Sequence, residues 1–110
     1  MENIEFEKSN VFDFNSSIDY AKGAIVSKII LKKATGNVTL FSFDKGQELS
    51  EHTAQFDALI QIIEGTSDII IEGINHSLIS GQSIILPANS PHAVKATGKF
   101  KMILTMIKSH

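Results

Sequence analysis

The feature that most constrains this chain is the way its apolar residues are parcelled out. From Ala24 onward they come as short runs rich in Ile, Val, Leu, Thr and Phe, covering 25–32, 37–43, 49–54, 57–63, 67–72, 74–79, 83–86, 92–97 and 100–107. Glycine-bearing breaks cut them at Gly36-Asn37, Lys45-Gly46, Glu64-Gly65, Gly73, Ser80-Gly81 and Gly98. None of these segments sustains a helical period over about three turns. Strand-like runs with turn signals every ~8–12 residues are the pattern of an all-β sandwich or barrel. The clearest hairpin runs from Asp68 to Leu78, with Gly73 supplying the positive φ of a tight turn.

Two segments are apolar on both faces, Ala58–Ile63 and Lys101–Ile107. An antiparallel strand with one solvated face alternates apolar and polar residues, so a second apolar face needs a cover. One cover is the irregular stretch 1–24, an N-terminal arm whose Phe6, Val11, Phe12, Phe14 and Ile18 would be out of place in a solvated tail. The other, and the preferred reading, is a homodimer packing sheet on sheet. Residues 25–110 then form the barrel domain, with the arm lying along it.

Composition removes several function classes. A chain of 110 residues fits one domain, and its net charge of −2 with no basic run gives no platform for nucleic acid or anionic lipid. It has no cysteine, hence no disulfide, thiolate metal site or cysteine nucleophile. No phosphate-binding glycine loop, H-E-x-x-H or G-x-S-x-G occurs. The acidic start, Met1 to Glu5, does not read as a secretory leader, so the expected compartment is the cytoplasm, with no membrane association. Lys32-Lys33 and the Lys99–Lys101 stretch read as solvated charges. Phe41, Phe43, Met102 and Met106 read as core, and His76 as a rim residue.

Two spaced segments carry chemistry. In the first, Gly46 is followed by five residues, then His52, Thr53 and Ala54, with Gly65 closing the motif six residues past Ala58. In the second, Gly81 is followed by five residues, then Pro87, Ala88, Asn89 and, after two more, His92, with Ala96 at the last position. The pair resembles the two motifs of the cupin superfamily, and most closely the short single-domain bacterial cupins. That resemblance implies a double-stranded β-helix, the jelly-roll barrel. It also implies that His52 and His92 stand where metal-binding cupins place two of their four ligands. The chain departs from the pattern at Ala54 and Ala58, which replace the second histidine and the glutamate, and at Asn89, which replaces a turn glycine.

Alternation along strands then defines an expected lumen. If His52 points inward, so do Ala54 and, from the next strand, Ala58, Ile60 and Ile62; His92, Val94 and Ala96 line it from the strand after Pro87. The expected pocket is apolar, with two imidazoles beside small residues, a form suited to a small molecule. A divalent metal (Fe, Zn, Ni or Mn) would need a third ligand beyond His52 and His92. Asp57, Gln55, Glu51 and Glu48 are the available side chains, and Asp57 turns inward only if a bulge follows Ala54. The functional expectation is a small-molecule-binding barrel. The alternatives are a metal-dependent enzyme of dioxygenase or isomerase type with a reduced ligand set, and a structural or interaction module with no lumen ligand.

Overall fold

The computed structural model describes residues 5–108, so the reading of Met1 to Ile4 lies outside it. Eight strands occur among the described residues: β1 (Ile25–Lys33), β2 (Gly36–Phe43), β3 (Glu48–His52), β4 (Ala58–Ile71), β5 (Ile74–Ile79), β6 (Ser83–Leu86), β7 (His92–Lys95) and β8 (Phe100–Ile107). Every pairing between them is antiparallel. The fold is all-β, a strongly curled sheet consistent with the jelly roll. The hairpin at Gly73 forms as expected: Ile71 pairs with Ile74 across Glu72 and Gly73, both at positive φ.

The chief departure from expectation is β4. The break foreseen at Glu64-Gly65 is a bulge inside one continuous strand, where the register against β8 shifts between Ile62 and Glu64. Up to Gly65, β4 pairs with β8 and, over Ala58 to Gln61, with β6; from Thr66 onward it pairs with β5 and β7. One strand therefore serves both halves of the barrel: β1-β2-β8-β4-β6 on one side and β3-β7-β4-β5 on the other. The inserted residue also reverses the parity of the strand. Ala58, Ile60 and Ile62 are buried before the bulge, Ser67 and Ile69 after it, so the same face stays inside through the corner. Gly65 is required there, because a Cβ would run into the carbonyl of Lys99 and the side chain of Phe100.

The interior is packed by Phe43, Ile60, Ile62, Ile69, Val94, Phe100 and Met102. The Phe43 and Phe100 rings stack with centroids 4.4 Å apart. Each fully buried side chain of this kind contributes about 1.5–3 kcal/mol of transfer free energy. Phe41, expected as core, packs against this cluster while remaining partly exposed.

A second, outer cluster forms where the arm crosses the β1-β2-β8 face. Ile18, 2% exposed, lies with Leu40 and Ile103, and Phe14, Val26 and Ile63 pack around them. The arm thus covers part of the second apolar face of β4 and β8. It is held by its own backbone. Alternate carbonyls Asn15, Ser17 and Asp19 accept from Lys101 Nζ (2.7 Å), Lys28 Nζ (2.8 Å) and Ser42 Oγ (2.9 Å), side chains of three different strands. Lys101 is a correction: expected as a solvated charge, it is buried, with its ammonium 5.1 Å from the Tyr20 ring centroid and 3.4 Å from Glu64. A buried cation is tolerable only with such partners.

Candidate functional site

His52 ends β3 and His92 begins β7, and the two residues are cross-strand partners. Both motifs meet here because their loops are tied together. The N–H of Gly46 donates to Ala96 O at 2.8 Å, and that of Ala96 to Gln47 O at 2.9 Å. At the other end the N–H of Glu72 donates to Pro91 O at 2.8 Å, while Ser90 Oγ donates to Glu72 Oε1 at 3.0 Å. The glycines that open or close the motifs, Gly46, Gly65 and Gly81, all sit at positive φ, a conformation glycine adopts without a Cβ clash.

The imidazoles meet edge to face, with ring centroids 4.3 Å apart and 66° between planes. His92 is buried and His52 exposed, so one ring is fixed in the barrel wall and the other borders solvent. The Nδ1 of His52 lies 2.8 Å from Ser50 O, and that of His92 lies 3.0 Å from Ser90 O. A carbonyl only accepts, so each Nδ1 carries a proton and donates it. This assigns the tautomer of both rings. With both rings neutral this leaves two Nε2 acceptors facing each other at 3.1 Å, a hydrogen-bond distance that one shared proton satisfies. Two lone pairs at that distance repel unless a proton, a hydrogen-bond donor or a cation comes to them.

The other expected pocket residues divide. Ile60, Ile62 and Val94 are 1%, 1% and 2% exposed and belong to the inner core. Ala58, also buried, is the cross-strand partner of Met106 and Leu86. Ala54 is half-buried, and its carbonyl accepts the N–H of Asn89 at 2.7 Å. His76 is half-buried on β5, its Nδ1 donating to Ile69 O at 3.2 Å, away from the pair.

The donor set was tested against a metal centre. Asp57, the foremost candidate for a third ligand, accepts the N–H of Ala88 on Oδ1 at 2.7 Å, closing the loop before β4 onto the loop after β6. Among the described residues no three His, Asp or Glu side chains gather in a way that could hold a metal ion. Two imidazoles fall short of the three protein ligands of a catalytic zinc or non-haem iron site, so these residues do not fit such a centre.

Comparison with known proteins agrees with this architecture. Residues 39–108 match the Cupin_2 family, described as "Cupin domain". A conserved protein of unknown function from Streptococcus pyogenes superposes with a TM-score of 0.91 at 31% identity, over 100% of this chain and 97% of that one. A cupin 2 conserved barrel domain protein from Leptotrichia buccalis is 38% identical with a TM-score of 0.85, over 88% of this chain and 47% of that one. A cupin superfamily protein from Desulfitobacterium hafniense shares the fold, with a TM-score of 0.88 at 23% identity over 94% of this chain and 95% of that one. No curated protein matches the chain.

Proposed function

The chain belongs to the cupin domain family, and from that premise we propose that it binds a small organic acid at the His52–His92 pair. The observation that carries this reading is the pair of facing Nε2 acceptors, each set by a backbone carbonyl behind its ring. What such a pair lacks is one proton. A carboxylic acid supplies it. Taken up as a carboxylate together with a proton from water, the acid leaves the proton on one Nε2, whose N–H is shared between the facing Nε2 and a carboxylate oxygen, a charge-assisted hydrogen bond stronger than a neutral one. The exposed His52 gives access, and the buried His92 gives a fixed geometry.

The test is a titration of the purified protein with short aliphatic and 2-oxo carboxylic acids, followed by NMR of the histidine ring nitrogens. Binding should move the His52 and His92 signals, leave His76 in place, and vanish in the His52→Ala/His92→Ala double variant. No shift with any acid would refute the assignment. Elemental analysis of the dialysed protein decides the metal-dependent alternative: a stoichiometric metal lost in the same double variant would replace the acid-binding reading.

A further inference from the structure

Among the described residues, three that are not glycine stand at positive φ: Ser9 on the arm, Asn89 at 65° and Glu72 at 50°. Asparagine suits that region and glutamate does not. Glu72 is the first of the two residues that turn the β4–β5 hairpin, with Ile71 paired to Ile74 around them. Asparagine, aspartate or glycine fills the first place of such a turn at least cost. A glutamate side chain is too long for the local hydrogen bond that eases the left-handed backbone of the shorter residues. Strain kept in an exposed turn points to work that the side chain does elsewhere. The Glu72 carboxylate reaches out of its own hairpin. Its Oε1 accepts from Ser90 Oγ at 3.0 Å, while the Glu72 backbone N–H donates to Pro91 O at 2.8 Å. Ile71, the residue before it, is the cross-strand partner of His92. The turn is thus braced against the segment that carries the buried imidazole.

We propose that Glu72 is a positioning residue for His92, acting through Ser90. The Ser90 carbonyl receives His92 Nδ1 at 3.0 Å, and so decides which nitrogen of that ring is turned to His52. This carbonyl belongs to the Ser90–Pro91 peptide, whose nitrogen bears no hydrogen, so that peptide plane has no donor of its own to anchor it. The backbone N–H of Ser90 reaches only Pro87 O, in the same loop, at 3.3 Å. Among the described residues, the bond from its hydroxyl to Glu72 is what ties Ser90 to a part of the chain outside that loop. Glu72, Ser90, His92 and His52 therefore stand in series, each in contact with the next. An asparagine at position 72 would ease the backbone, but its side chain is one methylene shorter and falls short of Ser90. The glutamate keeps the reach at the expense of the turn. The importance of the series rests on the histidine pair as the binding site, but its geometry is present without any ligand.

Ring-nitrogen NMR of the histidines in the ligand-free protein, with thermal melts of the same variants, tests it. Glu72→Asn should melt at or above the wild-type temperature, because asparagine adopts that φ more easily. The same variant should move the His92 nitrogens from the Nδ1–H form towards a mixture of tautomers. Ser90→Ala should give the same His92 shift, and the double variant no more than either alone, as for two members of one series. Glu72→Gln keeps an acceptor oxygen at the same reach and should leave His92 as in the wild type. His76 should not move in any of them. An acid that binds at the pair should lose about 3–10-fold in affinity in Glu72→Asn, the equivalent of one net hydrogen bond. Three results would each overturn the proposal: His92 signals unmoved in Glu72→Asn or Ser90→Ala, a Glu72→Gln variant that shifts as Glu72→Asn does, or a Glu72→Asn melt well below the wild type. A wild-type protein that takes up no acid would remove the proposed ligand alone, and the ring signals would still decide the role of Glu72.

Discussion

The backbone N–H of Asn89 donates to the carbonyl of Ala54 across 2.7 Å, so the loop ahead of His92 is pinned to the segment just past His52. The bond requires Asn89 at a φ of 65°, in the left-handed region that asparagine enters at little cost and β-branched residues avoid. Asn89→Gly should therefore change stability by less than about 0.5 kcal/mol. Asn89→Val should cost about 1–3 kcal/mol and loosen the approach of the two imidazoles. Urea denaturation of the two variants measures the difference; equal stabilities would mean that this backbone strain is absent in solution.

Gly65 gives a second test, because it combines positive φ with a crowded site, while Gly73 has the same φ sign and open space around its Cα. Gly73→Ala should cost about 1–2 kcal/mol, the price of the left-handed conformation alone. Gly65→Ala adds the clash with Lys99 and Phe100 and should cost about 1–3 kcal/mol more. If the two variants melt together, β4 does not turn its corner at this bulge.

The difference between those glycines shows where the sequence is readable and where it is not. Alternation in Ala58, Ile60 and Ile62 is a local signal and identifies the buried face without a structure. The bulge is not local: Glu64-Gly65 looks like any strand-ending turn until the chain is seen to continue against new partners on both edges. Lys101 was misread for a related reason. Lysines are seldom buried, and what holds this one is the Asn15 carbonyl and the Tyr20 ring of the arm together with Glu64, partners distant in sequence that local patterning does not reveal. The pairing of His52 with His92 was legible through motif spacing. The orientation of their nitrogens was not, because it is set by the carbonyls of Ser50 and Ser90.

The unequal burial of the two histidines predicts unequal costs of removing them. His92→Ala empties a buried position and leaves Ser90 O without its donor, which should destabilise the protein by about 1–3 kcal/mol. His52→Ala removes an exposed ring with one carbonyl hydrogen bond and should cost less than about 1 kcal/mol. Thermal denaturation of the two variants side by side checks the order; a larger loss for His52→Ala would place the exposed ring deeper in the fold than it stands here.

Tyr20 ties the arm to the barrel, and its titration reports on that tie. Its hydroxyl donates to Glu64 Oε2 at 2.5 Å. Burial first, then the hydrogen bond and charge of Glu64, push the phenol above its ordinary value of 10.0. The same hydroxyl is the main reason that the Glu64 carboxylate is held below its ordinary 4.5, with Lys101 assisting and burial opposing. The lowered carboxylate contributes stability above pH 4.5 that is lost as pH falls through its folded value. The raised phenol contributes stability below pH 10.0 that is lost as pH rises through its folded value. The arm should therefore be held most firmly between these limits and loosen beyond either. Because the chain has one tyrosine and no tryptophan, the phenolate absorbance band follows this residue alone. Phenolate should appear at higher pH in the folded protein than in the urea-unfolded chain. Glu64→Gln removes the neighbouring charge but not the burial, so it should bring the midpoint only part of the way back. An unchanged midpoint in Glu64→Gln would mean that the two groups do not meet in solution, and that Lys101 holds the arm without them.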